Sequence, residues 1–209
     1  MIKLLVVDHH PVVYNGLDAF FKNSRNIKIV GHVHQGKAIL DFVKKRQVDI
    51  VLTEIDLEDL NGISAIKRVK KQHPEIKIIV FTNQLEHVYG SNAIKAGATG
   101  FVSKKESLKT LDKAILKVFN NAIYVSENLA NQLTFSSKKN AISNDFKNLS
   151  SRELEVLKLL SEGKRNKDIA VELELSEKTV STYRSRLMKK LNVSNLVELI
   201  KMSERERIY

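Results

Sequence analysis

Five short runs of mostly β-branched, apolar residues recur through the first 120 residues and alternate with stretches of helical character. Most of these runs are apolar on both faces, which is typical of strands in a parallel sheet that helices cover on both sides. The alternation therefore favours an α/β domain built on a doubly wound, five-stranded parallel sheet. The predicted strands span residues 2–7, 27–33, 49–53, 76–82 and 99–103.

The carboxyl ends of these strands carry a small set of polar side chains. A doubly wound sheet of this flavodoxin-like kind binds its ligands just beyond those ends, so we expect a functional pocket there. No glycine-rich phosphate loop follows the first strand, which argues against a nucleotide-binding enzyme. The pocket residues that the strand ends predict are Asp8, His9, Glu54, Thr82 and Lys104.

Residues 149–193 carry a second pattern, three helices in the order of a helix-turn-helix. Ser150 or Ser151 is placed to cap the first helix, and Glu153 stands where a capping-box carboxylate reaches back to an orphan amide. Gly163 ends that helix, because glycine tolerates the left-handed conformation at a helix C-terminus. With one further helix, the segment predicts a small all-α domain of four helices, whose third helix enters the major groove of DNA.

The third helix of this segment has a core face and a basic face. Val180, Leu187 and Leu191 recur at helical spacing and form the core face. Hydroxyl and guanidinium groups on the other face suit base edges and phosphates, although an ordinary three-helix subdomain with a solvated basic face is the alternative. The expected DNA-binding residues are Lys178, Thr179, Ser181, Thr182, Tyr183, Arg184, Ser185, Arg186 and Lys189. We expect Thr182, Arg184 and Ser185 nearest to base edges and the lysines, Tyr183 and Arg186 on phosphates.

Both halves of the chain resemble one family. The C-terminal half contains EVLKLLSEG, NKDIA and SEKTVSTYRSRLMKKLNV and resembles the LuxR-type output domain of NarL/FixJ response regulators, which are bacterial two-component transcription factors. The N-terminal half contains VVDHHPVVYNGL, DIVLTEIDLEDLNGI, IIVFTN and GATGFVSK and resembles the receiver domain of the same family. The resemblance implies a receiver at residues 1–121, a bridging segment and linker at 122–148, and a DNA-binding domain at 149–209.

Within this resemblance, the pocket departs from the family pattern at two positions. A working receiver has an aspartate nucleophile where this chain has Glu54, and two adjacent acids that hold Mg²⁺ where it has Asp8 and His9. Imidazole is a poor ligand for Mg²⁺, which prefers oxygen donors. Phosphoryl transfer depends on positioning and on charge neutralisation by the metal, and both are impaired here. We therefore expect an atypical pseudo-receiver with no cofactor, weak or absent Mg²⁺ binding, and little or no phosphorylation.

The retained residues Thr82 and Lys104 leave two interpretations of Glu54. In one, its carboxylate supplies part of the charge of about −1.5 to −2 of a phosphoryl group, and it locks the receiver in an active-like state. Thr82 and the switch aromatic that the resemblance implies, Phe101, would then sit as phosphorylation normally places them. In the other, Glu54 and Lys104 merely neutralise each other in a degenerate pocket, with no bias toward an active state. The sequence alone leaves both open.

Two further interpretations of the pocket have less support. Asp56 is a conceivable substitute acceptor, but a loop position two residues after Glu54 points elsewhere relative to Lys104. His9 and His10 with Asp8 are a conceivable transition-metal site. We favour instead a role for His10, the residue before Pro11, in shaping the start of the first helix, and we expect no metal.

The last helix of the chain, at about residues 195–202, has an apolar stripe of Leu196, Leu199 and Ile200. The resemblance implies that this helix forms the dimer contact of the DNA-bound protein. The alternative is that the stripe only closes a small core. Before the helix-turn-helix, residues 135–148 are rich in serine, lysine and asparagine, which predicts a flexible linker.

Composition narrows the class of protein. The chain has no cysteine, which fits a reducing cytoplasm, and no apolar run approaches the length of about 18 residues that a membrane helix needs. The net charge of +11 is not concentrated in the predicted DNA-binding domain. Residues 149–209 hold 13 basic and 10 acidic residues, whereas residues 1–120 hold 19 basic and 12 acidic residues. The charge of the third helix is therefore better evidence for DNA binding than the overall charge.

The sequence thus predicts a cytoplasmic bacterial transcription regulator, not an enzyme, that binds double-stranded DNA as a homodimer and does not depend on aspartyl phosphorylation. Two alternatives stay open. One is a conventional regulator that a histidine kinase switches by phosphorylation. The other is an interaction module whose basic receiver binds a partner regulator.

Overall fold

All five expected strands are present, and they pair in parallel in the order β2-β1-β3-β4-β5. Their boundaries agree with the predicted ones to within one residue. The strands span Ile2–Val7 (β1), Ile27–Val33 (β2), Ile50–Thr53 (β3), Lys77–Thr82 (β4) and Gly100–Ser103 (β5). The computed structural model describes residues 1–134 and 145–205. It separates the chain into two units, Met1–Ser136 and Ser137–Tyr209.

Within residues 1–134, six α-helices accompany the sheet of the first unit. They span Pro11–Phe21 (α1), Ile39–Lys45 (α2), Gly62–Gln72 (α3), Glu86–Ala96 (α4), Leu108–Phe119 (α5) and Glu127–Thr134 (α6), with a short 3₁₀ turn at Gly36–Ala38. Every residue of the central strand β3 is buried, as expected for a strand covered on both faces. Side chains of β1, β3 and β4 pack with those of α1 and α5 in one apolar core.

Local sequence signals explain where these helices begin and end. Pro11 occupies the first turn of α1, where its missing amide hydrogen costs nothing. The side chain of Asn61 accepts a hydrogen bond from the amide of Ile63 and caps α3. Gly62 admits no side chain, since a Cβ there would lie 2.2 Å from the carbonyl oxygen of Glu54. The loop after β3 is thereby held against the pocket residue that precedes it.

The segment expected as a bridge after residue 121 belongs in large part to the first unit. The carbonyl of Tyr124 accepts a hydrogen bond from Phe101, and its amide donates to Thr99, so the chain runs beside β5. Helix α6 buries Leu129 against α4 at Gly90, where a Cβ would lie 2.6 Å from a leucine methyl. Residues 135–144 of the predicted linker lie outside the described residues. The end of the linker forms a 3₁₀ turn at Asp145–Asn148.

The second unit has the four helices that the sequence predicts. They span Ser151–Ser161 (α7), Asn166–Glu172 (α8), Glu177–Lys190 (α9) and Leu196–Arg205 (α10). Ser150, rather than Ser151, caps α7, and it forms the expected capping box with Glu153. Gly163 follows α7 with a φ of +80°, and Ser176 caps α9 through the amide of Thr179. No helix of residues 1–134 and 145–205 is long and apolar enough to cross a membrane.

Candidate functional site

The strand-end residues meet at one edge of the sheet, as the parallel topology requires. Asp8 follows β1, Glu54 follows β3, Thr82 ends β4 and Lys104 follows β5. Backbone hydrogen bonds fix their spacing: the amide of Glu54 donates to the carbonyl of Val7 at 2.9 Å, and that of Lys104 to the carbonyl of Thr82 at 2.8 Å. The sheet therefore brings these four predicted residues together and fixes their spacing.

Lys104 connects the two carboxylates of this pocket. Its Nζ lies 2.5 Å from Oδ2 of Asp8 and 2.6 Å from Oε2 of Glu54. Both carboxylates are buried, with Glu54 only 4% exposed. Two carboxylates thus share one ammonium in a buried site, where removal of a partner leaves an uncompensated charge.

The second carboxylate oxygen of Glu54 is also occupied. Oε1 accepts hydrogen bonds from the amide of Ile55 at 2.6 Å, from the amide of Asp56 at 3.2 Å, and from the hydroxyl of Thr82. The Thr82 hydroxyl accepts in turn from the amide of Gln84 at 3.1 Å. These hydrogen bonds therefore connect Glu54, which follows β3, to the end of β4 and to the loop that follows β4.

Asp8 is held in its charged form by its neighbours. Burial alone would raise the pKa of this carboxyl, but hydrogen bonds from Lys104 and from the amide of His10 outweigh burial, and the pKa falls below its ordinary value. Oδ1 accepts from the amide of His10 and lies 2.9 Å from Nδ1 of the same residue. His10, which directly precedes Pro11 at the start of α1, therefore contacts Asp8, and the sequence did not reveal this contact.

The pocket does not fit a magnesium ion. Mg²⁺ requires oxygen ligands in near-octahedral geometry, and His9 offers nitrogen at the position where the family has a second acid. The oxygens of Asp8 and Glu54 are already engaged by the ammonium of Lys104 and by amide hydrogens. The nitrogen of His9 therefore disfavours Mg²⁺ by its chemistry, and the contacts of Asp8 and Glu54 weaken the binding of any cation there.

The burial of two other predicted residues bears on the pocket. Phe101, on β5, is buried. Asp56, the weaker candidate acceptor, is exposed rather than buried with Glu54. An exposed carboxylate two residues beyond the pocket is poorly placed to replace the nucleophile, so Asp56 gains no support.

Helix α9 presents the predicted basic face. Val180 and Leu187 are buried on its inner side, and none of the nine predicted DNA-binding residues is buried. Some hydroxyls bond within the unit, since Thr182 donates to the carbonyl of Lys178 and Ser181 accepts from the side chain of Asn166. Each retains an acceptor lone pair, so these contacts leave a role at base edges possible.

Lys190 is the last residue of α9, next to Lys189 of the basic face, but its side chain is directed into the second unit. Its Nζ lies 2.7 Å from Oε2 of Glu153 and donates to the carbonyl of Asn148 at 3.0 Å. The same Glu153 oxygen accepts from the amide of Ser150. Burial would raise the pKa of Glu153, but these hydrogen bonds outweigh burial and lower it. No residue spacing in the sequence signals this contact.

Helix α10 requires a correction to the predicted dimer surface. Leu199 is fully buried in the unit and so cannot contact a second chain without unfolding, whereas Leu196 and Ile200 are half-buried. Val197, which the sequence did not single out, is 61% exposed on the same helix. Leu199 therefore closes the core of the second unit. Val197 is instead an apolar side chain at the surface of the same helix.

Two family models match the chain, one for each unit. The model described as the response regulator receiver domain matches residues 4–116, and the model described as bacterial regulatory proteins of the luxR family matches residues 147–203. The matched ranges leave only the segment between the units and the chain ends uncovered.

Relatives match over the whole length of the chain. A Pseudomonas aeruginosa protein is 35% identical and covers all of both sequences, and the response regulator UvrY of Escherichia coli is 30% identical over 98% of this chain and 94% of its own. Two solved structures of RcsB each cover 96% of both chains. RcsB of Salmonella enterica serovar Typhimurium, bound to promoter rprA in the presence of phosphomimetic BeF₃⁻, has a TM-score of 0.76 and 27% identity. A structure of two RcsB dimers bound to two parallel DNAs has a TM-score of 0.60 and 26% identity.

Proposed function

The chain belongs to the response regulators with a LuxR-type DNA-binding domain, and from this premise we propose that it regulates transcription without aspartyl phosphorylation. Members of this family are DNA-binding transcription factors of two-component systems rather than enzymes. We place the protein in the cytoplasm, and a histidine kinase or a partner regulator is the upstream component that the family implies.

The observation that carries the proposal is the double engagement of Glu54. One carboxylate oxygen contacts the ammonium of Lys104, and the other accepts the hydroxyl of Thr82. A phosphoryl group on a receiver aspartate would present negative oxygens to the same lysine and threonine. Because the two oxygens of Glu54 contact both of these residues, they support an active-like receiver rather than a merely neutralised pocket. The buried position of Phe101 is compatible with that state.

We further propose that the protein binds double-stranded DNA as a homodimer. The exposed basic face of α9 supports DNA contact, and the dimers of RcsB on DNA support the assembly by similarity. The contact between copies would involve α10, through exposed Val197 together with Leu196 and Ile200. A single α9 reads one half-site, so a dimer is needed to hold two half-sites about one helical turn apart.

The first experiment is the intact mass of the purified chain after incubation with Mg²⁺ and a small-molecule phosphodonor. We expect no phosphoryl adduct, because the Glu54 carboxylate is occupied and the metal site is degraded. A response regulator that does label, treated in parallel, shows that the donor is active. An adduct on this chain, at Glu54 or elsewhere, would overturn phosphorylation independence.

The second experiment tests the active-like state with Glu54→Gln. The variant keeps the size of the side chain and removes its charge, so the contacts with Lys104 and Thr82 weaken. We expect binding to a duplex selected from a random pool by the wild-type protein to weaken about 5- to 150-fold, the range of typical coupling energies. The matched control is Glu58→Gln, in the exposed loop after Glu54, and it should not alter binding. Equal affinity of both variants would leave Glu54 as a neutralising residue only.

A further inference from the structure

The three residues between β1 and α1 gather the ligand atoms of a transition-metal site. One ligand atom each from Asp8, His9 and His10 lies within 4.8 Å of the other two. The imidazole rings of His9 and His10 are 3.8 Å apart between centroids. The end of β1 on one side and Pro11 at the first turn of α1 on the other fix these three residues in place.

His9 supplies the second observation that points to a ligand. Its Nδ1 is buried and has no hydrogen-bond partner among the residues that the structure describes. A buried ring nitrogen without a partner costs free energy, and a metal ion would satisfy it. His10 is 51% exposed at its side chain, so a hydrated ion has access to the group from solvent.

We infer that Asp8, His9 and His10 bind a borderline divalent transition-metal ion, such as Zn²⁺, at the place where the family holds Mg²⁺. Two imidazoles and one carboxylate suit zinc and its neighbours, and three protein ligands leave a position open for water. Mg²⁺ is rejected by the same nitrogen donors. The replacement of the second acid by His9 thus changes the kind of metal rather than only removing one.

Lys104 sets the strength of this site. Its ammonium lies 2.5 Å from Oδ2 of Asp8, so it repels a cation at Asp8 and competes for the carboxylate. We therefore expect moderate affinity, well below that of a structural zinc site. The inference concerns metal binding alone and stands or falls independently of phosphorylation and of DNA binding.

The test is calorimetric titration of the tag-free full-length chain with ZnCl₂ and, separately, with MgCl₂. We expect one Zn²⁺ per chain and no saturable binding of Mg²⁺. His9→Asn should weaken Zn²⁺ binding at least about tenfold, the loss typical of a damaged metal site. His10→Asn, at a half-exposed side chain, provides the same test if the first variant fails to fold. Circular dichroism checks the fold of each.

Two further variants test whether Zn²⁺ binds at Asp8, His9 and His10 or at another histidine. His73→Asn is the matched control, since His73 pairs with Glu75 far along the chain and is the obvious adventitious zinc site. Its binding should equal that of the wild type. His9→Asp should lose Zn²⁺ affinity and gain Mg²⁺ affinity, because it restores two adjacent oxygen donors. Retention of Zn²⁺ binding in both His9 variants and His10→Asn, or its loss in His73→Asn, would overturn the inference.

Discussion

Lys190 and Glu153 join the C-terminal end of α9 to the N-terminal cap of α7, with Nζ 2.7 Å from Oε2. The carboxylate that receives the lysine is the one that completes the capping box with Ser150. The buried carboxylate of Glu153 therefore stabilises both the start of α7 and the end of α9. The orientation of α9, the helix proposed to contact DNA, depends on this contact as well as on the apolar core beneath it.

Adjacent lysines on α9 should respond differently to substitution. Lys189 is exposed, so Lys189→Ala should remove a phosphate contact and lower the slope of log affinity against log salt by about one. Lys190→Ala should leave that slope unchanged, because its ammonium is bound to Glu153. Fluorescence anisotropy on a labelled duplex across a range of KCl concentrations measures both. A lowered slope for Lys190→Ala would show that its ammonium leaves Glu153 for the DNA.

Acid should weaken the second unit through Glu153. Its pKa is lowered in the folded chain from an ordinary value of 4.5, so its contribution is fully present above about pH 4.5 and is lost as pH falls through the lowered folded pKa. Glu153→Gln keeps a capping side chain and should flatten this pH dependence. Urea unfolding of the second unit at several pH values measures it. Glu204→Gln, at an exposed position, should retain the slope of the wild type.

Arg184 should carry sequence discrimination. Arg184→Ala should cost roughly 1–3 kcal/mol on a selected duplex and relax preference at one base position, as the loss of a base-reading arginine does. Binding to random duplex should change much less. Parallel titrations on the two duplexes give the ratio. An equal loss on both would assign Arg184 to a phosphate.

Lys104 should dominate the stability of the receiver pocket. Lys104→Met leaves Asp8 and Glu54 buried without their cation, and breaking a buried pair in this way costs about 3–5 kcal/mol. Lys105→Met, at the exposed neighbouring position, should change stability by less than about 0.5 kcal/mol. Differential scanning calorimetry resolves the receiver transition of each. Comparable midpoints for the two variants would mean that the pocket is hydrated and its ion pairs weak.

Val197 should separate assembly from folding. Val197→Asp places a charge on exposed α10 and should prevent the second copy from joining on DNA, while the unit stays folded. Val12→Asp introduces the same change at an exposed valine of α1 and should not do so. Sedimentation of the protein bound to a duplex with two half-sites gives the number of chains. Two chains per duplex for Val197→Asp would exclude this surface.

The sheet and the pocket were predictable because they depend on short-range pattern. Apolar runs fix the strands to within one residue, and parallel topology then brings the strand ends together, so Glu54 and Lys104 meet although 50 residues separate them. The cap at Ser150 followed from the same kind of local chemistry. Each of these predictions needed only the sequence within one element and one rule of topology.

The features that the sequence did not reveal depend on contacts between residues far apart in the chain. A helical stripe shows which side of α10 is apolar, but not that Leu199 meets the core of its own unit while Val197 meets solvent. Composition shows that Lys190 is basic, but not that Glu153 is within its reach. The packing of α6 depends on a missing side chain at Gly90, which a single sequence presents as one glycine among eight.

The sharing of one ammonium by Asp8 and Glu54 also limits how this pocket can evolve. Glu54→Asp alone would withdraw a carboxylate from Lys104 and Thr82 while His9 still denies the new nucleophile its metal. His9→Asp alone would set a third acid beside a single lysine, balanced only when a cation is bound. We expect each intermediate to be inferior to both the present chain and a conventional receiver. A pocket with both family residues is therefore two coupled substitutions away from the present one.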